Sequence, residues 1–525
     1  MSTGPATPHH ELTEDERALH ELGYAQELFR AMKGFQNFAI SFTIISILAG
    51  CLTSYYIAFQ YGGPIAVTWG WLIVGGFCII VALAMAEIAS KYPTAGGLYF
   101  WASKLGSPAW GWFTGWFNLI GQIAVTAAIG YGLAIFATSL LDLLFNYPNN
   151  KHWIFVTYTV VMLGAIILNF LDVSITALLN SISAWWHMVG VALIVVIMII
   201  VPDQHQSVSY VFTQTINNSG FQGHNFGNIM FWYVFGIGLL MAQYTITGYD
   251  ASAHMAEETK QASRGSAVGM YMSVVVSVIF GFVLLLAVTF AIPNTNDAVA
   301  AGGNVVTYIW QTSMSTHWAE FLLIIAVVAQ FFCLTASVTS ASRMMFAFSR
   351  DGAVPGWRTW RKIARNRVPW ASVLAIGTLS WLLMVPTWWN NLAGYLVGTS
   401  IAVIGLYIAF ALPIYLRWKQ GESFEPGAWH LGRHYKWIDP IAIAWIILIC
   451  ILFMLPIAPA GIPFKKGYNW NIANYAPVTV IGAFILFGGW FALSANKWFK
   501  GPVRMGSEEE LERMEEALEA GTVPA

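Results

Sequence analysis

Three side chains of this sequence stand where ionisable groups are costly. Asp250 and His254 lie in a long apolar run that begins near Asn228, and His187 lies near the middle of another, in Trp185-Trp186-His187. A charge at membrane depth costs several kcal/mol or more, so such residues are rare there and mark ion or substrate paths. A carboxylate and an imidazole can each take up and return a proton, and imidazole titrates near neutral pH unless perturbed. Asp250 and His187 are therefore the proton-carrier candidates. Asp250 and His254, at i and i+4, share one helix face. Gly248 lets the backbone leave the helix just before Asp250. Residues 245–258 thus read as a broken helix, in which Ile246, Thr247, Gly248 and Tyr249 would offer carbonyl oxygens to an ammonium group. Tyr249 is a candidate aromatic lid. The plainer alternatives are that Asp250 caps the inner half-helix, that His187 is neutral and bonded to a neighbouring carbonyl, and that the Tyr249 ring is packing.

A second interruption matches the first. Residues 47–54, ILAGCLTS, place Gly50 among small and hydroxyl residues inside another apolar run. Unwinding there would expose the N–H groups of Gly50, Cys51, Leu52 and Thr53 at the start of an outer half-helix, where the helix dipole attracts a carboxylate. Alternatively, Gly50 permits close helix packing. Asn118, Gln122 and Thr126 form one polar stripe at i, i+4 and i+8, with Gln122 the candidate substrate contact. Thr335, Ser337, Thr339 and Ser340 supply hydroxyls to a third run; they either line a site or bond their own i−4 carbonyls. The sequence has no metal-ligand spacing, phosphate loop or nucleophile elbow. No metal, cofactor or enzymatic chemistry is expected.

The elements that must position these residues are membrane helices. Only 10% of the 525 residues are charged and 57% are hydrophobic, against about 25% charged in soluble proteins. Runs of about 20 apolar residues, the length that crosses a bilayer, occur at 35–60, 66–89, 109–138, 153–170, 175–201, 228–256, 267–292, 318–345, 370–388, 391–416, 440–459 and 477–497. The expectation is an all-α polytopic membrane protein with twelve transmembrane helices. Of 25 Lys and Arg residues, Lys151, Lys465 and Lys466 fall outside and the other 22 inside when both termini are cytoplasmic. The polar residues 1–33 form a cytoplasmic tail without a cleavable signal. A transporter core spans 34–416, with repeat one at about 35–201 and repeat two at about 228–416. A cytoplasmic loop (417–439), two further helices (440–497) and a solvated acidic tail (498–525) follow. Five spans repeated in series must be inverted in the membrane, which sets the broken spans 1 and 6 opposite each other and marks a transporter binding site. The four cysteines all sit in apolar runs and read as buried small hydrophobes. A net charge of −1 argues against nucleic acid as a partner.

Phe42 to Tyr56 (FTIISILAGCLTSYY), Ala86 to Tyr99 (AEIASKYPTAGGLY), Gly248 to Thr259 (GYDASAHMAEET) and Ser342 to Pro355 (SRMMFAFSRDGAVP) carry a resemblance. Over residues 24 to 500 the chain resembles the amino acid–polyamine–organocation superfamily of permeases. It is most similar to the amino acid/choline transporter branch, with its choline, 4-aminobutyrate and amino-acid permeases. The resemblance implies the leucine-transporter-type fold of two inverted five-helix repeats plus two helices. It implies a substrate amine on the carbonyls of span 6, a carboxylate on the amides of span 1, and Tyr249 at the gate. Some cationic amino-acid permeases carry a lysine in span 5; here His187 takes that place.

These readings converge on a secondary active transporter that moves amino acids or related amines across the plasma membrane by alternating access, with proton-coupled import. An exchanger and a choline- or polyamine-type organic cation permease are the alternatives, with Trp185, Trp186, Tyr244 and Tyr249 as possible cation–π partners. A membrane sensor or a channel is the reading from a different class. The expected partners are the small-molecule substrate, protons and the lipid bilayer; oligomeric state is left open.

Overall fold

A computed structural model describes residues 12–171, 173–389 and 391–519. Residues 1–11 and 520–525, parts of the two predicted tails, lie outside the described residues. The regular structure of the described chain is helical but for a two-residue pairing of Tyr61–Gly62 with Ile216–Asn217 and one bridge between Met32 and Thr259. Eleven helical segments among the described residues are long and apolar enough to cross a membrane, and the shorter apolar segment Ile229–Thr245 adds to them. That shorter one is the predicted sixth span, cut short by its interruption. The chain is an integral membrane protein of the polytopic all-α class.

Burial separates the helices into an inner and an outer set. The apolar window of Gly34–Gln60 is 94% buried and that of Pro108–Phe145 is 83% buried, whereas Ala476–Trp498 is 11% buried. The first interrupted segment and the long helix Pro108–Phe145 thus form the centre, and the last helix leans on it. The four cysteines are buried and free.

Both tails pack on one end of the bundle. Helix Glu14–Leu22 opens with a Thr13–Glu16 capping box, and the strand-like arm after it bonds to the second interrupted segment through Met32 N–H to Glu258 O (2.9 Å) and Lys260 N–H to Met32 O (2.8 Å). The acidic helix Glu508–Glu519 is not simply solvated. Its Leu511 is buried, and its Glu515 accepts from Gln26 N–H (2.6 Å) and lies 2.8 Å from His20 Nε2. A tail read as a charged face is held because Leu511 is buried and the Glu515 carboxylate finds partners on the N-terminal arm.

Candidate functional site

The first break falls earlier than its glycine. Helix Gly34–Ile45 stops at Ser46, whose φ of 31° is left-handed, and the helix resumes at Gly50. Ser46 O accepts from the N–H groups of Ala49 and Gly50, both at 2.8 Å, and Ala49 O accepts from Thr53 N–H at 2.9 Å. Gly50 and Thr53 therefore do not offer free N–H groups. The N–H groups of Cys51 and Leu52 have no backbone acceptor among the described residues. The expected interruption over 47–54 is corrected to 46–49. Gly50 serves close packing instead, because a Cβ there would lie 2.5 Å from Thr245 Oγ1.

His187 explains how a serine holds this conformation. Its Nδ1 lies 2.8 Å from Ser183 O and its Nε2 lies 2.7 Å from Ser46 Oγ. A carbonyl only accepts, so Nδ1 carries the hydrogen, and in the neutral ring Nε2 accepts from the Ser46 hydroxyl. Both nitrogens of the ring are engaged, and the ring braces the break. A His187→Gln substitution is accordingly expected to lower stability by about 1–3 kcal/mol in thermal unfolding, while uptake keeps its wild-type pH dependence. A shifted pH profile would return His187 to the proton path.

The second break matches its prediction more closely. Helix Leu240–Thr245 ends, residues 246–250 are irregular, and helix Ala251–His254 follows. Gly248 has φ 113°. Several of its carbonyls are already engaged. Tyr407 Oη donates to Ile246 O (3.2 Å), Ala251 N–H to Gly248 O (3.2 Å) and Ser41 Oγ to Tyr249 O (3.0 Å). The Thr247 C=O has no hydrogen-bond partner among the described residues. Asp250 makes no side-chain cap. Its Oδ2 accepts from Gln122 Nε2 at 2.7 Å and lies 3.4 Å from His254 Nε2.

The two breaks enclose one small cavity. It is lined by Ala49, Gly50 and Thr53 from the first and by Tyr244, Thr245 and Thr247 from the second, with Val125, Ile129 and Cys333 closing the sides. At about 10 Å³ it has room for about one water. Tyr395 covers it, donating to Thr53 Oγ1 at 3.0 Å and meeting the Tyr244 ring edge-on at 6.4 Å. Tyr249 does not line it. Its hydroxyl bonds to Tyr407 (3.3 Å) and its ring packs on Phe410. Trp185 is 59% exposed on the bundle exterior, which removes it from the site. Gln122 and Thr126 stand one turn apart, the first bonded to Asp250 and the second 2.7 Å from Ser337 Oγ. Gln122 thus reaches Asp250 rather than the cavity.

The amino acid permease family model matches residues 33–484, a stretch that contains both breaks and the cavity. The chain belongs to the amino acid permease family. The permease is 37% identical over 507 residues to the amino-acid permease BAT1 homolog of Oryza sativa subsp. japonica, covering 92% of this chain and 95% of that one. It is 36% identical to amino-acid permease BAT1 of Arabidopsis thaliana, with the same coverage. It is 28% identical to the GABA-specific permease of Saccharomyces cerevisiae, covering 94% of this chain and 87% of that one. These relatives are permeases, not enzymes, and the chain is a transporter.

On the side that carries the tails, the permease holds buried ion pairs that sequence reading did not find. Arg350 grips Glu257 with two nitrogens (2.8 and 3.0 Å), and Arg343 Nε holds Glu258 at 2.8 Å. Glu27 reaches Arg350 at 3.7 Å, and the guanidinium lies 3.9 Å from the Tyr24 ring centre. Burial pushes the Glu257 carboxyl up, but Arg350 outweighs it and holds it below its ordinary value. For Glu27 burial wins over Arg350 and the carboxyl is raised.

Proposed function

We propose that the permease is a secondary active importer of amino acids or related amines, working by alternating access and coupled to protons. The observation that carries this is the meeting of the two breaks at one cavity. One side is the half-helix start, where Gly50 and Thr53 line the cavity and Cys51 and Leu52 lie between them in the first turn, and the other side carries Thr247. A zwitterion needs that pair of poles. No charged side chain lines the cavity, which favours a substrate without net charge. The names of the relatives support the class: two amino-acid permeases and a GABA-specific permease. Tyr395 and Tyr244 form the outer lid in this reading, and the Arg350–Glu257 and Arg343–Glu258 pairs form the inner gate. The tails face the cytoplasm, as the 22 to 3 distribution of Lys and Arg supports, and the bilayer in this reading is the plasma membrane. Residues 34–416 form the transporting core with its two inverted repeats.

The cavity is closed to amino acid size, so entry requires spans 1 and 6 to part. Asp250 serves coupling, since its carboxylate points to Gln122 and His254 instead of the cavity. Purified protein in liposomes tests the proposal. Labelled neutral amino acids, including 4-aminobutyrate, should accumulate when an inward proton gradient is imposed, and an Asp250→Asn protein should lose about tenfold or more of that accumulation. Transport that ignores the gradient and strictly requires an internal amino acid would establish exchange instead.

A further inference from the structure

Asp250 and His254 face each other in a way that needs a proton between them. His254 Nδ1 lies 3.0 Å from the carbonyl of Ala95. That nitrogen must carry the hydrogen, because a carbonyl only accepts. In a neutral ring Nε2 then has a lone pair, and 3.4 Å away lies Asp250 Oδ2, also an acceptor when ionised. Both side chains are fully buried, and neither Asp250 Oδ1 nor His254 Nε2 has a hydrogen-bond partner among the described residues. Two facing acceptors in a buried site are unfavourable, and one proton removes the conflict, whether it rests on Oδ2 or on Nε2.

We propose that Asp250 and His254 form a single proton site, and that Ala95 ties this site to the Glu257–Arg350 gate. The inference rests on the transporter reading above and adds a second member to its proton carrier. Ala95 belongs to the turn between helices Pro64–Lys91 and Leu98–Leu105. Its carbonyl accepts from His254, and its N–H donates to Glu257 Oε1 at 2.9 Å. The neighbouring Gly97, at φ 48°, lets this turn sit on the ring: a Cβ there would lie 3.2 Å from His254 Nδ1 and Cε1. When Glu257 leaves Arg350, the same residue loses its N–H anchor, and the carbonyl that holds His254 is freed to move with it. Gate opening and exposure of the proton are one movement. The proton arrives from water on one side and returns to water on the other. With it the pair has no net charge; without it one negative charge stays buried, which disfavours release while the gate is shut.

The surroundings supply no competing partner among the described residues. Three helices pack on Ala251–His254. Gly34–Ile45 presents Asn37 and Ser41, which bond to Ser252. Ala262–Phe290 presents Gly269 beside Ser252, and its one charged side chain, Arg264, is exposed. Thr316–Arg350 presents Arg343 and Arg350, engaged by Glu258 and Glu257; its His317 and Glu320 pair at its far end. Gln122 comes from Pro108–Phe145, and the phenol of Tyr249 adjoins Asp250 on its own segment.

The test compares wild type and His254→Gln in liposomes, in two modes: counterflow at equal pH, and accumulation driven by a pH gradient. The expected result is that gradient-driven accumulation by His254→Gln falls about tenfold or more while counterflow falls much less. Wild type without counterflow for any amino acid or amine would overturn the transporter reading itself. Wild type that accumulates substrate, with His254→Gln accumulating equally, would overturn the shared site alone. A second measurement covers a variant that does not fold. Infrared difference spectra of wild type against pH, minus those of Asp250→Asn, should show one carboxyl band and one histidine band titrating together. Separate midpoints for the two bands would overturn the proposal.

Discussion

An Arg350→Ala permease is expected to lose about 3–5 kcal/mol of stability, the largest single loss at the tail side. Arg350 is almost fully buried, and its removal strands Glu257 without a counter-charge and takes the cation from Glu27 and from the Tyr24 ring. Asp351 stands beside them, pushed up by burial and held by Tyr24, Tyr99 and the Val503 N–H. Three carboxylates would then share one buried corner. Replacing both partners by apolar residues, Arg350→Met with Glu257→Met, should cost less than the single change, because the Glu257 carboxylate is no longer left buried without its counter-charge. The pH dependence has a definite sign. The Glu257 value is lowered on folding, so its stabilisation is present above the ordinary carboxylate value and is lost as pH falls through the folded one. The Glu27 value is raised, so its contribution is present below the ordinary value and is lost as pH rises through the folded one. Glu257→Gln should therefore destabilise at neutral pH, and Glu27→Gln should stabilise or leave the protein unchanged there. Thermal unfolding across pH checks all four variants; an unchanged midpoint for Arg350→Ala would show that the pair is not what closes this side.

This corner also shows where sequence reading stops. Hydropathy makes the helices legible, since lipid requires every backbone group in a span to be bonded within its own helix. The second break was legible because Gly248 stands beside an ionisable residue in an apolar run. The first was misplaced because its pivot is Ser46, and a serine at positive φ leaves no compositional mark. What holds it there is His187, more than a hundred residues away. The ion pairs join residues separated by 85 and 93 positions, and Tyr395 sits in an unremarkable apolar stretch. Such contacts depend on which helix faces reach the centre, which periodicity in one span does not reveal. The same limit explains Tyr249: its place beside Asp250 marked it as a lid, but the irregular turn aims its ring at Tyr407 and Phe410.

A Gly248→Ala permease is expected to lose most of its uptake and to unfold at a lower temperature, by two separable causes. At φ 113° an alanine is strained by about 1–3 kcal/mol. Its Cβ would also lie 2.3 Å from Ile44 Cγ2, so the turn must retreat from the first interrupted segment. That retreat pulls on Ser41, which bonds to both Tyr249 O and Ser252 N–H, and it separates the Thr247 carbonyl from the Cys51 and Leu52 N–H groups. A double variant with Ile44→Ala removes the clash and keeps the backbone strain, so the part of uptake it restores measures how much the spacing of the breaks matters. Gly50→Ala is the control for spacing without strain. Its backbone is helical, but a Cβ would meet Thr245 Cα at 2.8 Å, and a main-chain atom cannot swing away as a side chain can. If spacing governs transport, Gly50→Ala should impair uptake as severely as Gly248→Ala with a smaller loss of thermal stability. Uptake at the wild-type rate by both single variants would mean that the two breaks need not meet for the substrate to cross.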